Sequence, residues 1–321
     1  MAREAGLSVA SVSRVLNGHS NVHPDSRAKV QAAMATLGYR PNAAARSLST
    51  SRTHAIGVVL PDLHGEFFGE MVRGMDRAAS EHGYMLLLST MHADKILAGQ
   101  ALGAMNGRVD GVIVMAPELT KDDLASALPG GLPAVLVNSP DDVDHHNIRI
   151  DNRAGVMLMV RHLLASGRKR IVHLSGDPKN LDAAERSAAF ADALAALAPD
   201  LPVRVMTGDF SDESGERLVQ QLLAEGADFD AIFAANDMMA MGALQALRTV
   251  GISVPRQVAV SGFDDVPLAR YLGLTTLKVD MVGIGRRAVE QLVAGIADQG
   301  DPPALQSLMP TLVVRGTTAA S

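Results

Sequence analysis

The first residues that could do chemistry form one face of a helical stretch near the N-terminus, SVASVSRVLNG over 8–18. Ser8 can cap this helix, because its hydroxyl can accept a hydrogen bond from a free amide of the first turn. Val12, Val15 and Leu16 recur at helical spacing and predict a buried face. The opposite face is small and polar with a single cation, and comprises Val9, Ala10, Ser13, Arg14 and Asn17.

The segment before this stretch, Ala5-Gly6-Leu7, supplies a helix end, a glycine turn and an apolar residue. Two helices joined by a short turn, the second with a thin polar face, form the helix-turn-helix pattern of DNA-binding proteins. The alternative is an ordinary short amphipathic helix.

A third helix is predicted to start at Pro24. Its apolar stripe comprises Val30, Met34 and Leu37, and it should end at Gly38.

Charge is distributed unevenly along the chain. Residues 1–54 hold seven Lys and Arg against two acids, whereas the remaining residues hold 22 against 33. A small basic head on a large acidic body favours a head that binds a polyanion.

With no cysteine there are no disulfides and no thiolate chemistry. No apolar run approaches the ~20 residues of a membrane helix, and no signal peptide begins the chain, so a cytoplasmic protein without a membrane partner is expected.

From Ala55 onwards, continuous apolar runs alternate with helical patterns, which predicts parallel sheets covered on both faces. The pattern occurs twice and predicts an α/β core of two doubly wound parallel-sheet lobes with a cleft between them. The expected strands are 55–60, 84–88, 109–115, 133–138, 171–175, 203–207, 231–235 and 258–262, and the expected helices are 66–82, 183–197, 212–225 and 237–250.

Polar clusters follow several of these strands, at 62–68, 138–139, 180–186, 209–210, 236–237 and 262–265. Ligands of such sheets bind beyond the carboxyl ends of the strands, so these clusters are the candidate ligand site.

With both halves examined, the chain resembles the lactose repressor/galactose repressor family of bacterial transcription regulators, essentially from end to end. The motifs that carry the resemblance are AREAGLSVASVSRVLNG (2–18), LGYRPNAAARSL (37–48), IGVVLPD (56–62), RVDGVIV (108–114), IDNRAG (150–155), GDFSDESG (208–215), FAANDMMAMGAL (233–244), GFDDVP (262–267) and VVRGT (313–317).

The resemblance implies a helix-turn-helix head at 1–41, a hinge helix and linker at 42–52, and an effector-binding core at 53–321 that is similar to periplasmic sugar-binding proteins. Lobe one would comprise 53–150 and 282–308, and lobe two 151–281 and 309–321. One departure is that Met1 stands where family members have a valine inside helix 1. This predicts either a shortened helix 1 or a reading frame that continues upstream.

In the head, the resemblance places Val9, Ala10 and Arg14 in the major groove, where arginine can pair with guanine or with phosphate. Ser8, Ser11 and Ser13 would contact phosphates, and Leu48 would insert into the minor groove and kink the duplex. The alternatives are an exposed arginine without a role and a linker leucine packed on lobe one. Asn17, Asn42 and Ala45 complete the expected DNA-binding set.

In the cleft, Arg186, Asn236 and Asp264 match family positions that bond ligand hydroxyls. Phe67, Phe68 and Phe210 lie where they could cover the apolar faces of a sugar ring or stack on a base. Asn138 and Asp182 complete the expected effector-binding set. Family members that bind purines carry a bulky aromatic residue near Ser139 and a basic or hydroxyl residue near Asn180 and Asp182. This chain has none of these, which favours a sugar or sugar derivative. The alternative is structural, with Asp264 held in the GFDD turn by Arg186.

Other motifs lead to no catalytic or cofactor prediction. The adjacent His145 and His146 are expected in a solvated loop because they lack metal-ligand spacing, and GxG at Gly283 and Gly285 lacks the rest of a nucleotide fingerprint. We therefore expect no cofactor, no metal and no enzyme. The expected function is a repressor whose affinity for a pseudo-palindromic DNA operator responds to a cleft ligand.

Two other functions stay open: a sugar-binding transport component, and an orphaned cytoplasmic sugar sensor with a non-functional head. The chain ends soon after VVRGT without a heptad extension, so a homodimer rather than a tetramer is expected.

Overall fold

The computed structural model describes residues 1–16, 21–39, 52–92, 94–140, 145–300 and 304–319. Within these ranges, α1 (Ala2–Ala5), α2 (Val9–Leu16) and α3 (Pro24–Leu37) form the head. The first half of the core contains β1 (Ala55–Leu60), α4 (Glu66–Glu81), β2 (Met85–Thr90), α5 (Lys95–Met105), β3 (Gly111–Met115), α6 (Lys121–Ala127), β4 (Ala134–Val137) and β5 (His146–Ile150). The second half contains α7 (Asn152–Ala165), β6 (Ile171–Ser175), α8 (Leu181–Leu197), β7 (Arg204–Thr207), α9 (Asp212–Ala224), β8 (Ala231–Ala234), α10 (Asp237–Thr249), β9 (Ala259–Ser261), α11 (Pro267–Tyr271), β10 (Thr276–Lys278), α12 (Met281–Ile296), β11 (Leu305–Leu308) and β12 (Thr311–Val313).

The head has its own small core, formed where the apolar faces of its three helices meet. Its buried residues are Ala5, Val12, Val15, Val30 and Ala33. Gly6 follows α1 with a φ of 64°, a left-handed conformation that glycine adopts without strain. Leu37, which the stripe predicted as buried, is 49% exposed, and Ala33 takes its place in the core.

Two parallel sheets form the rest of the molecule. The first has six strands in the order β11-β5-β4-β3-β1-β2, and the second has four in the order β7-β6-β8-β9. All pairings within both sheets are parallel, whereas β10 and β12 form an antiparallel pair. The expected doubly wound α/β core is confirmed. The exact division into lobes stays a prediction.

Helices on the sheets pack closely because glycines stand at their contacts. A Cβ on Gly74 of α4 would lie 2.1 Å from the Val282 carbonyl oxygen of α12. On the second sheet, a Cβ on Gly242 of α10 would lie 1.9 Å from the Asp212 carbonyl oxygen of α9. These contacts fix α4 against α12 and α10 against α9, and the first turns of α4 and α10 border the space between the sheets.

Several elements were not predicted from the sequence. Strand β5 contains the buried polar residues Asn147 and Arg149, and it begins at His146, so His146 lies in a strand rather than in the expected loop. Strands β10, β11 and β12 have only three or four residues each. In the described part of the chain, no helix combines the length and apolarity that would let it cross a membrane.

Candidate functional site: the cavity between the sheets and the exposed face of the head

A cavity of about 400 Å³ lies between the carboxyl ends of the two parallel sheets. We call the side that follows β1, β2 and β3 the first-sheet wall; it includes Asp62, His64, Phe67, Phe68, His92 and Glu118. We call the other side the second-sheet wall; it includes Asn180, Asp182, Arg186, Asp209, Phe210, Asn236 and Asp264. Seven of the eight predicted effector-binding residues therefore line one cavity.

Arg186 is the central group of the second-sheet wall and is 3% exposed. Its Nε donates to Asn152 Oδ1 at 2.8 Å, and Nη1 donates to the Ala235 carbonyl oxygen at 2.5 Å. The guanidinium carbon lies 3.7 Å from the centre of the Phe263 ring, a cation–π contact. Three partners thus fix the orientation of the arginine without using Asp264.

Asp264 brings a buried carboxylate to the same wall. Its Oδ1 atom has no hydrogen-bond partner. Burial raises the pKa of Asp264 well above its usual value, attraction by Arg186 opposes this, and repulsion by Asp237 and Asp182 adds to it. An unsatisfied buried acceptor is costly, so a ligand hydroxyl that donates to Asp264 would relieve that cost.

Asp182 lies one helical turn before Arg186 on α8. It accepts a hydrogen bond from Asn152 Nδ2 at 2.8 Å. Burial raises the pKa of the Asp182 carboxyl, while the nearby Arg186 lowers it. Asn152 therefore joins both members of this charged pair and positions them together.

Asn236 and Phe210 are linked to each other. Asn236 caps α10 by accepting from Met239 N at 2.9 Å, and its Nδ2 donates to the Phe210 carbonyl oxygen at 2.9 Å. Phe210 has a φ of 70°, and a Cβ on Gly176 would lie 2.4 Å from its ring, so the glycine makes room for the aromatic side chain. Asn236 thus holds an aromatic ring at the cavity as well as facing it.

On the first-sheet wall, Phe67 and Phe68 form an edge-to-face pair with ring centres 5.4 Å apart. Glu118 was missed by the sequence analysis. Its Oε1 accepts from Asn180 Nδ2 of the opposite wall at 2.6 Å, and its Oε2 is buried without a partner. A signal was present, because Glu118 follows the strand predicted at 109–115.

Asn138 corrects the expectation that it faces the cavity. It is buried at the end of β4 with a φ of 41°, and it is absent from both walls. Its Oδ1 accepts from the Ile150 amide on the neighbouring strand at 3.3 Å, which turns the side chain toward β5.

At the mouth of the cavity, His64, Asp212 and Glu213 offer ligand atoms within 4.8 Å of one another and could hold a metal ion. All three lie at the surface or partly exposed, and the His64 Nε2 atom is 4.0 Å from Asp212 Oδ1. His64 lines the first-sheet wall, and Asp212 and Glu213 begin α9 directly after Ser211 of the cavity lining, so they mark one place where the two halves of the core approach each other.

The second candidate surface is the outer face of α2. Ser8, Val9, Ala10, Ser13 and Arg14 are exposed there, with Val9 76% exposed, while Val12 and Val15 are buried. The Ser8 hydroxyl accepts from the Ser11 amide at 3.1 Å and thereby caps the helix. The expected DNA-binding residues Asn17, Asn42, Ala45 and Leu48 lie outside the described residues.

The fold and these two surfaces define a bilobal binding protein with a helix-turn-helix head. Residues 1–42 match the model of bacterial regulatory proteins of the lacI family, and residues 160–318 match that of a periplasmic binding protein-like domain. The HTH-type transcriptional regulator GalS of Salmonella typhimurium is 35% identical over 99% of this chain and 95% of that protein.

Solved structures of transcriptional regulators have the same fold as this chain. A lac repressor dimer bound to operator and the anti-inducer ONPF has a TM-score of 0.90 and 31% identity, covering 99% of this chain and 98% of that one. The transcriptional regulator CelR in complex with cellobiose has a TM-score of 0.74 and 30% identity, covering 98% of each chain. The chain belongs to the lacI family of bacterial regulatory proteins, and the family resemblance is confirmed.

Proposed function

We propose that this protein is a cytoplasmic repressor that binds a pseudo-palindromic DNA operator as a homodimer and responds to a sugar in its cavity. The observation that carries the DNA-binding half is the exposed face of α2. Val9, Ala10 and Arg14 project from a helix whose other face is buried, so they can enter a major groove without disturbing the head. The similar lac repressor structure, which is a dimer bound to operator, also supports DNA binding by this head.

The homodimer has support in the surface of the first sheet. Its edge strand β2 and the start of α5 expose Met85, Leu88 and Ile96, at 63%, 46% and 64%. Exposed apolar side chains on the edge strand of a sheet favour contact with another chain. A second copy also meets the need of a two-fold DNA site for two heads.

The proposal of a sugar ligand rests on the chemistry of the residues that line the cavity. Aromatic rings of both walls can cover the apolar faces of a sugar, and Asp264 Oδ1 offers an acceptor for a hydroxyl. Two solved neighbours hold a small ligand, cellobiose in CelR and the anti-inducer ONPF in the lac repressor, which supports a small ligand for this protein as well. Ligand binding is expected to favour one angle between the sheets and to release the operator, with a coupling of ~1–3 kcal/mol.

The test measures affinity for DNA selected from the protein's own upstream region, with and without a panel of neutral sugars that includes cellobiose. Arg14→Ala should weaken binding by on the order of 1–3 kcal/mol at the selected site if Arg14 contacts a base. Asp264→Asn keeps the shape of the side chain, and asparagine, like aspartate, is one of the non-glycine residues enriched at a positive φ, which is 113° here. It should leave DNA affinity unchanged and abolish the response to the sugar. A full response in Asp264→Asn would contradict the assignment of the cavity.

A further inference from the structure

The charged residues of the cavity are unbalanced. Five carboxylates line it, from Asp62, Glu118, Asp182, Asp209 and Asp264, whereas Arg186 is the single arginine among the described lining residues. Two histidines, His64 and His92, lie exposed at the rim. An anionic ligand would therefore enter a field of like charge, and a cation would enter a favourable one.

Most of these charges are already satisfied within the protein. Asp62 accepts from the Leu63 and His64 amides, and Asp209 accepts from the Ser211 amide and hydroxyl. Arg186 has three partners, as described above, and it lies close to Asp182 and Asp264. Among the described lining residues, the one arginine is thus committed to the protein's own groups.

Glu118 differs from these carboxylates. One oxygen accepts from Asn180, and the other is buried without a partner. Burial raises the pKa of Glu118, and the two charged groups that act on it, Asp182 and Asp177, are both carboxylates that raise it further. A donor that also carries positive charge would supply both the hydrogen bond and the charge that Glu118 lacks.

We propose that the cavity selects polyols that carry an ammonium group, such as amino sugars, over their hydroxyl and anionic counterparts, and that Glu118 is the carboxylate that contacts the ammonium. This inference rests on the proposed function, since it takes the cavity as the effector site. It adds the chemical class of the ligand and a specificity-determining residue on the first-sheet wall. The opposite Asp264 then accepts from a hydroxyl of the same molecule.

The experiment measures dissociation constants by calorimetry at neutral pH for matched sets of probes. Each set contains a neutral sugar, the same sugar with one hydroxyl replaced by an amine, and its phosphorylated or carboxylated form; glucose, glucosamine, glucose 6-phosphate and glucuronate form one set, and galactose derivatives form another. In at least one set the amine should bind about tenfold more tightly than the hydroxyl parent, because a charge-assisted hydrogen bond is stronger than a neutral one. The anion should bind more weakly than both.

Glu118→Gln separates contact with the ligand from a structural role. Glutamine keeps the size of the side chain and an acceptor oxygen for Asn180, so the link between the walls can persist. The ratio of amine to hydroxyl affinity should fall to about one in this variant, while binding of the hydroxyl parent is retained. A residue that served only to join the walls would change both affinities together and leave their ratio unaltered.

Asp177→Asn is the matched control. Asp177 is exposed and does not line the cavity, but its charge acts on Glu118. The preference for the amine should survive this substitution if direct contact, rather than the general field, is responsible. A wild-type preference for hydroxyl parents or anions would overturn the inference, and so would an unchanged ratio in Glu118→Gln.

Absence of binding across the whole panel would also overturn it. Operator affinity is measured separately on the same preparation. Tight operator binding would then support the DNA-binding half of the proposed function even where the ligand inference has failed.

Discussion

The two walls of the cavity are built differently. On the second-sheet wall, Asp182, Arg186 and Asn236 each have hydrogen-bond partners within the protein, and the first two are almost fully buried. On the first-sheet wall, Phe67 and Phe68 are half-buried rings that contact each other. The second-sheet wall therefore presents mainly polar groups in fixed positions, together with the ring of Phe210. The first-sheet wall presents a pair of half-buried rings with more freedom to adjust.

The difference has a consequence for binding. Polar groups that are positioned before the ligand arrives need little reorganisation, which preserves affinity and specificity. If the cavity is the effector site, as proposed, the rings cover the ligand once it is bound. Two links join the walls across the cavity: Glu118 accepts from Asn180, and Leu181 N donates to the Pro117 carbonyl oxygen at 2.9 Å. Substitutions on the two walls should thus differ in what they damage.

The largest effect is expected for Arg186→Ala. Removing the guanidinium leaves Asp182 and Asp264 buried without their cation and exposes one face of Phe263. The free energy of unfolding should fall by about 3–5 kcal/mol at neutral pH, measured by urea denaturation. Arg186→Lys keeps the charge but not the planar group that stacks on Phe263, so its loss should be smaller. A loss below about 1 kcal/mol for Arg186→Ala would show that the second-sheet wall is not held by this residue.

The next largest effect is a pH dependence of stability that comes from His173 on β6, the strand that leads to the second-sheet wall. His173 of β6 is fully buried against the rings of Phe190 and Phe233, and its Nδ1 atom lies 2.9 Å from the Phe233 carbonyl oxygen. Burial lowers the pKa of His173 to about 4. Since the unfolded chain binds a proton near pH 6.5 and the folded one does not, stability contributed by neutral His173 is present above about pH 6.5 and is lost as the pH falls toward 4.

The expected loss is on the order of 3 kcal/mol between those limits. It is isolated by comparing the wild type with His173→Leu, which cannot titrate, in urea denaturation at a series of pH values. The comparison also cancels Asp237, whose pKa is raised to about 7 by burial and whose contribution has the opposite sign. Parallel stability curves for the two proteins would contradict a neutral buried His173.

The sequence predicted the elements and residues of the two cavity walls only in part. Strands β1 and β3 were found because every residue in them is buried and none has a polar side chain, so their apolar runs are continuous. Strand β5 was missed because its buried polar residues are satisfied from elsewhere: Asn147 donates to the Ser139 carbonyl oxygen, and Arg149 pairs with Glu185. Such partners are invisible in a local pattern. The resemblance located Arg186 and Asp264, but neither motif nor spacing indicated that Glu118 meets Asn180 across the cavity.

The smallest effect on stability is expected for Phe67→Ala on the first-sheet wall. The ring is half-buried and packs against the core from its edge, so its removal should cost about 1 kcal/mol of unfolding free energy, well below the cost at Arg186. Affinity for the tightest neutral sugar of the panel should nevertheless fall about tenfold, because the ring can no longer cover the ligand.

Urea denaturation and calorimetry on the same protein separate the two quantities, and Leu63→Ala serves as a control. Leu63 is an exposed apolar residue of the loop that precedes α4, it does not line the cavity, and its truncation should change neither quantity. If Phe67→Ala lost as much stability as Arg186→Ala, the first-sheet wall would be as firmly built as the second. The ligand would then meet two fixed surfaces, and closure could not depend on rings that adjust to it.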